Sequence, residues 1–224
     1  MVAGRSAARQ LSEVRAAGTG ASPRAFPYNR AMQTSPWLTN HLLIAMPAMQ
    51  DPQFHRSVTY ICQHNAQGAM GLVINRAADL RFDEVLRQMG IDALASGRDD
   101  VPVLLGGPVQ QERGFVLHGA LGSAQARDWD SSFRINETLS VTTSRDVIET
   151  LARDASGAHA LLALGYAGWD AGQLERELMD NAWLTVEVQD HAILFETPLE
   201  ARWHEAAALV GVDINQMTPT AGHA

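Results

Sequence analysis

The chain of 224 residues has no lysine, a single cysteine and no long uninterrupted apolar run. Because Cys62 has no second cysteine to pair with, an internal disulfide and a multi-thiolate metal site are excluded. A membrane-spanning helix needs about 20 predominantly apolar residues, and a secretory signal needs an apolar h-region near the N-terminus. The sequence has neither feature, which predicts a soluble, cytoplasmic protein with no membrane association.

The first 35 residues are rich in Ala, Gly, Ser and Arg and have no sustained apolar periodicity. We expect residues 1–35 to form a disordered leader and residues 36–224 to form one domain, since that length is ample for a single core. The Arg-rich, acid-poor leader also resembles a transit peptide, so an organellar location is the alternative.

Charge is distributed unevenly between the leader and the domain. All 17 cationic side chains are Arg, and the leader holds five of them with one of the 25 acidic residues, so the domain has 12 Arg against 24 acidic residues. Proteins that bind duplex DNA gain much of their affinity by neutralising phosphates with cationic side chains. The sequence therefore predicts no direct nucleic-acid binding by the domain.

This prediction can be tested with a shortened chain that begins at Ser35. It should show no measurable affinity for duplex DNA at physiological salt, because the cation-rich leader has been removed. Fluorescence anisotropy with a labelled duplex would measure the affinity. Submicromolar binding that weakens with added salt would contradict the prediction.

Short apolar runs alternate with segments of helical spacing along the domain. Gly90 and Gly211 each follow a helical segment at the position suited to a residue just beyond a helix C-terminus. Strands are predicted at 41–46, 57–63, 69–75, 101–105, 114–118, 139–142, 161–164, 183–188 and 191–195, and helices at 80–89, from 143 to about 156, after Asp170 and at 199–210.

The segment GYAGWDAGQLERELMDNAW, residues 165–183, combines three glycines and two tryptophans around a short amphipathic helix. We interpret it as a glycine-rich turn and a helix capped by Asp170, in which the tryptophans fill space against the sheet. The alternative is an anion site at the helix N-terminus. Packing is favoured, because Asp170 would compete for the same N–H groups and no phosphate-binding fingerprint is present.

The sequence has no HExxH, GxSxG, CxxC or Walker pattern. On a strand, Cys62 and His64 would face the same side, as a nucleophile and base do, but a thiol in a β-branched and aromatic run is typical of a buried apolar residue. His41, His55 and His64 lack the flanking carboxylates of a metal site. We therefore predict no catalytic residue, no metal and no cofactor.

Four segments occur in the order MPAMQDPQFHRSVTYICQHNAQGAMGLVINR, LLGGPV, RGFVLHG and ALGYAGWDAGQLERELMDNAWL. Together they resemble the AlgH/YqgE family of largely uncharacterised bacterial proteins, over roughly residues 36–215. The resemblance implies an α+β fold in which a bent, bifurcated mixed sheet is partly closed like a barrel and helices pack outside it. It also implies a link to transcriptional or exopolysaccharide regulation, without a mechanism.

Polar family-pattern residues at strand ends are the best candidates for a ligand site. The guanidinium fork of Arg suits carboxylate and phosphate groups, whereas pairing of each Arg with a neighbouring surface carboxylate is the alternative. The predicted ligand-binding residues are Arg56, His64, Asn75, Arg76, Arg113 and His118.

Two classes of function follow from this candidate site. The favoured prediction is a binding or regulatory module for a protein partner or a small anionic ligand. The alternative is a hydrolase-like enzyme that acts on a small anionic substrate at a site assembled from distant segments.

Overall fold

The computed structural model describes residues 37–91, 101–119, 131–153 and 159–214. The predicted leader, residues 1–35, lies outside these ranges. Among the helices in the described ranges, none is long and apolar enough to cross a membrane.

The described strands form one curled, predominantly antiparallel sheet in the order β6-β7-β5-β8-β3-β2-β1-β9, with β4 paired to β8 in parallel. The fold is therefore α+β with a partly closed, barrel-like mixed sheet, as the resemblance implied. The strands are β1 (His41–Ala45), β2 (Val58–Asn65), β3 (Gly68–Val73), β4 (Val103–Leu105), β5 (Val109–His118), β6 (Ser132–Arg134), β7 (Ser140–Thr142), β8 (Ala160–Asp170) and β9 (Trp183–Glu187).

The sheet divides along β8. The first half of β8 pairs with β4 and β5, and its second half pairs with β3. At the junction, Val109 pairs with Tyr166 and Gly114 pairs with Leu164, so that residues 110–113 of β5 bulge opposite the single residue Gly165. Glycine is needed there because Gly165 has a φ of +73°.

Helices and apolar side chains complete the domain. The interior of the curled sheet is filled by a cluster that includes Tyr60, Phe115, Tyr166 and Trp203. A second cluster joins the first two helices to β4, β5 and β8, and a third contains Phe54 and the two tryptophans of the glycine-rich segment. The described helices are α1 (Phe82–Gln88), α2 (Arg145–Arg153), α3 (Gln173–Met179), α4 (Ala192–Phe195) and α5 (Arg202–Leu209).

The predicted strand at 191–195 is wrong, because this segment forms α4. Just before the helix, whose N-cap residue is His191, Asp190 Oδ1 accepts a hydrogen bond from the Ala192 N–H at 3.0 Å. A five-residue apolar run does not by itself distinguish a strand from a buried helix. The partner of β9 is β1 instead.

The glycine-rich turn predicted at residues 165–169 is also wrong, since these residues continue β8. Helix α3 begins only at Gln173, after Gly172 at φ +70°, and not at a cap formed by Asp170. Gln173 does reach back, because its Oε1 accepts from the Asp170 N–H at 3.1 Å. This hydrogen bond joins the end of β8 to the first turn of α3.

Candidate functional site

The structure divides the six predicted ligand-binding residues into three groups. Arg56, Asn75 and Arg76 come together beside the start of β2. His64 lies at the opposite end of β2, and Arg113 and His118 lie on β5.

The first group belongs to a site that we call the arginine corner, which consists of Arg56, Asn75, Arg76, Arg202 and Trp203. Asn75 fixes the backbone around Arg56 and Val58. The Asn75 Oδ1 accepts from the Val58 N–H at 2.8 Å, and its Nδ2 donates to the Arg56 carbonyl at 2.9 Å. The end of β3 is thereby tied to the residues on either side of Ser57.

Arg76 anchors the turn that precedes β2. Its Nη1 donates to the Pro52 carbonyl at 3.0 Å and its Nη2 to the His55 carbonyl at 2.8 Å. Partial burial lowers the pKa of Arg76, while the nearby Asp51 carboxylate acts in the opposite direction. The guanidinium retains N–H groups beyond those that bind the two carbonyls.

Arg56 is held in a conformation that L-residues adopt rarely, with a φ of +55°. Such a backbone costs about 1–2 kcal/mol for a residue other than glycine. The Arg56 side chain is exposed, and its guanidinium carbon lies 5.2 Å from the centre of the Trp203 ring. This cation–π contact positions the charge over α5.

Arg202 and Trp203 are the two members of the corner that the sequence did not predict, and Arg202 is the charged one. Its side chain is 2 % exposed, its Nε donates to the Thr197 carbonyl at 2.9 Å, and its Nη1 donates to the Ile74 carbonyl. Burial lowers the pKa of Arg202 to about 10. The segment ARWHEAAALV gave no signal for this role, because Ile74, whose carbonyl Arg202 contacts, is 128 residues away.

The arginine corner has three arginines and, among the described residues, no ion pair. Elsewhere, Arg87 pairs with Asp83 at 3.2 Å and Arg145 with Glu149 at 2.9 Å, as the alternative interpretation expected of surface arginines. Within the described part of the chain, none of the ion pairs involves Arg56, Arg76 or Arg202. Arg56 and Arg76 therefore bring two guanidinium groups to the turn before β2, and Arg202 adds a buried third that contacts the Ile74 carbonyl, just after the end of β3.

His64 has a different setting, in which it connects the first described residues to α3. Its Nδ1 accepts from the Leu38 N–H at 2.9 Å, so the ring proton is on Nε2, which donates to Glu175 Oε1 at 3.1 Å. Cys62 packs in the interior cluster, and burial strongly raises the pKa of its thiol. Since Cys62 and His64 have different partners, they do not form a nucleophile and base.

His118 contacts β7, and Arg113 contacts the residue that follows β7. The Arg113 Nη2 donates to Thr143 Oγ1 at 2.9 Å. The His118 ring is buried, which lowers its pKa, and its nitrogens contact the Gly119 carbonyl at 2.7 Å and Thr142 Oγ1 at 2.9 Å. These two residues therefore belong to a region separate from the arginine corner.

The glycine-rich segment builds a packed aromatic cluster. Glu177 Oε2 accepts from both Trp169 Nε1 and Trp183 Nε1 at 2.9 Å, and its Oε1 accepts from Gln173 Nε2 at 2.9 Å. Phe54 packs against both indole rings. All three polar partners of the carboxylate come from the segment itself, which supports the packing interpretation.

Two further features delimit the candidate site. Among the described residues, no group of three or more His, Cys, Asp or Glu side chains could hold a metal ion. A cavity of about 310 Å³ lies at the C-terminal end of α5, lined by His204, Ala208 and residues 211–214. None of the six predicted ligand-binding residues lines that cavity.

Comparison with known proteins gives consistent matches over the domain. A family model described as AlgH-like matches residues 42–215. A UPF0301 protein from Methylococcus capsulatus is 50% identical over 187 residues, which cover 84% of this chain and 96% of the relative. A UPF0301 protein from Thioalkalivibrio sulfidiphilus is 51% identical over 193 residues, which cover 86% and 100%.

The solved structures that are similar to the chain include the following two. The solution structure of the AlgH protein from Pseudomonas aeruginosa superposes with a TM-score of 0.65 at 49% identity, over 87% of this chain and 100% of that one. A crystal structure of a protein from Corynebacterium diphtheriae superposes with a TM-score of 0.59 at 21% identity, over 75% and 84%. The second similarity concerns the fold alone.

Proposed function

We propose that this chain, which belongs to the AlgH-like family, is a binding module that recognises an anionic group at the arginine corner. The observation that carries the proposal is that Arg56 and Arg76 lie at the turn before β2, with Arg202 buried against the adjoining Ile74 carbonyl, and that none of the three forms an ion pair with a carboxylate in the described ranges. The anion belongs to a small ligand or to a partner protein.

Preorganisation supports this role. Arg76 is fixed by two backbone carbonyls and Arg56 by its backbone conformation and the Trp203 ring. An anion that binds there meets donors whose side-chain entropy has largely been lost on folding, which increases the net affinity. Arg56 is exposed and Arg76 is half-exposed, so both are accessible from solvent.

The groups next to the corner favour recognition over chemistry. His55 Nδ1 donates to the Met49 carbonyl at 3.0 Å, and Asp51 Oδ1 accepts from the Gln53 N–H at 2.8 Å. Both titratable side chains thus maintain the turn. As part of the same proposal, the chain is a regulatory module of the cytoplasm. Its domain, with 12 Arg against 24 acidic residues, makes no direct contact with nucleic acid.

Calorimetric titration of inorganic phosphate, nucleotides and small carboxylates tests this function. Arg56→Gly and Arg76→Ala should each weaken binding at least tenfold, which is about 1.4 kcal/mol. Arg56→Gly should keep the melting temperature within a few degrees, because relief of the positive φ offsets the lost cation–π contact.

Arg87→Ala is the matched control, because Arg87 is an exposed arginine on α1 that pairs with Asp83. It should bind the anion as the unaltered protein does. Equal weakening by all three variants would indicate a general charge effect and contradict the site. Absence of binding to any of the anions would leave a protein-interaction module as the remaining function.

A further inference from the structure

A hydrogen-bonded chain of three side chains crosses the edge of the sheet formed by β5, β7 and β6. Ser132 Oγ lies 2.8 Å from Thr142 Oγ1, and Thr142 Oγ1 lies 2.9 Å from His118 Nε2. His118 Nδ1 lies 2.7 Å from the Gly119 carbonyl. This set of hydrogen bonds runs from an exposed serine to a buried imidazole.

The directions of these hydrogen bonds follow from the last one. A carbonyl oxygen only accepts, so the neutral His118 ring carries its proton on Nδ1 and presents a lone pair on Nε2. Thr142 must then donate to Nε2, and Ser132 must donate to Thr142. Both hydroxyl protons therefore point away from Ser132 and towards His118 Nε2, the basic nitrogen among these three side chains.

Exposure and backbone geometry distinguish the serine end of this hydrogen-bonded series from its histidine end. Thr142 is 0 % and His118 is 4 % exposed, whereas Ser132 is exposed on β6. Ser132 is opposite Thr142 in the β6–β7 register. The preceding residue, Ser131, has a φ of +64°, and strained backbone of this kind clusters at functional sites.

We propose that Ser132 is a nucleophile that accepts an acyl group from an activated ester, with Thr142 and His118 as its proton relay. This arrangement extends the usual hydroxyl, base and orienting group by one hydroxyl. The proposed site lies on β5, β6 and β7 and shares no residue with the arginine corner, so either proposal can fail without the other.

The three hydrogen-bonded side chains and the ester account for every bond and proton of the acyl transfer. Ser132 Oγ bonds to the ester carbonyl carbon while its proton moves to Thr142 Oγ1, and the Thr142 proton moves to His118 Nε2. The bond between the carbonyl carbon and the alkoxy oxygen then breaks. The leaving oxygen takes up a proton returned from His118, or departs as the phenolate if it is weakly basic, in which case the proton goes to solvent. Water later hydrolyses the acyl-serine to the free acid.

The environment of His118 predicts slow acylation. Burial lowers the pKa of the ring, so the neutral base is the form present at pH 7. The orienting group is the Gly119 carbonyl, which stabilises an imidazolium less than a carboxylate would. Hydrolysis of the acyl-serine depends on the same weak base and must expel the serine alkoxide, a poorer leaving group than the phenolate of an activated ester. Hydrolysis is therefore slower still than acylation, and we expect a stoichiometric burst followed by slow turnover.

The experiment treats the full chain with p-nitrophenyl acetate, follows p-nitrophenolate release, and locates the acetyl group by peptide mass spectrometry. Ser132→Ala should abolish the burst, because it removes the nucleophilic oxygen, and Thr142→Val should reduce the burst rate about 100-fold, a typical contribution of general acid–base catalysis. Thr142→Ser keeps the relay hydroxyl and should stay within about threefold of the unaltered protein. Arg87→Ala, on α1, should leave the rate unchanged.

The matched pair at position 142 separates a relay from a packing role. Acetylation of Ser132 that persists in Thr142→Ser and is lost in Thr142→Val supports the proposal. Acetylation at another residue, or equal burst rates in the two variants, overturns it. If Thr142→Val fails to fold, the exposed Ser132→Ala variant decides, because an unchanged burst in that variant also overturns the proposal.

Discussion

Replacing Gly165 with Ala is expected to lower the free energy of unfolding by about 3 kcal/mol. The φ of +73° costs an L-residue about 1–2 kcal/mol, and a Cβ at this position would lie 2.6 Å from the Gly107 carbonyl oxygen and 2.8 Å from that of Val109. Both neighbours are backbone atoms, so relief of the overlap requires the strands to move, at about 1–3 kcal/mol. The melting temperature should fall by about 6–12 °C.

Gly90→Ala is the control for this prediction. Gly90 has a φ of +63°, and a Cβ there would meet nothing within 4 Å. This variant therefore isolates the backbone cost of about 1–2 kcal/mol. Urea denaturation of both variants would measure the difference, and a Gly165→Ala variant no less stable than Gly90→Ala would contradict the close approach of β5 to β8.

Local sequence patterns were sufficient for much of the secondary structure. The alternation at residues 183–188 corresponds to β9, and the apolar run at 41–46 to β1. Gly90 and Gly211 follow α1 and α5 with φ values of +63° and +74°, as a residue beyond a helix C-terminus requires. These features depend on a few consecutive residues, so they are accessible without tertiary information.

Long-range pairing decided the features that local patterns missed. The segment GYAGW contains turn-forming glycines, yet it is held in β8 because β3 pairs with residues 167–170. Strand β6 has three residues, which are too few for a periodic signal, and it exists through pairing with β7. In both cases the partner strand, which lies elsewhere in the chain, determines the conformation.

The candidate site likewise depends on long-range contacts that local sequence patterns do not reveal. Strand-end position selected Arg56, Asn75 and Arg76 as ligand-binding candidates, which stays a prediction. It did not indicate that these three residues lie near one another and apart from His64 and His118. The contribution of Arg202 depends on α5 packing beside the end of β3. Such proximity follows from the curl of the sheet and is absent from any local pattern.

The second large effect on stability is expected from removal of the Glu177 carboxylate. Trp169 and Trp183 are each 5 % exposed, and both indole N–H groups donate to Glu177 Oε2 at 2.9 Å. Glu177→Ala leaves two buried donors without this acceptor, and each unsatisfied donor costs about 1–3 kcal/mol. We expect the free energy of unfolding to fall by about 3 kcal/mol, measured by urea denaturation.

Two control variants separate this effect from the loss of a surface charge. Glu177→Gln keeps an amide oxygen for the indole donors and should cost about 1 kcal/mol, the typical net worth of a single hydrogen bond. Glu149→Ala removes a carboxylate that pairs only with Arg145 and Arg153 among the described residues and should cost at most about 1 kcal/mol. Glu149→Ala and Glu177→Gln should therefore each have a higher free energy of unfolding than Glu177→Ala. If Glu177→Ala were as stable as the unaltered protein and instead lost affinity for an anion or a partner, the aromatic cluster would have to be a binding site and not a packing device.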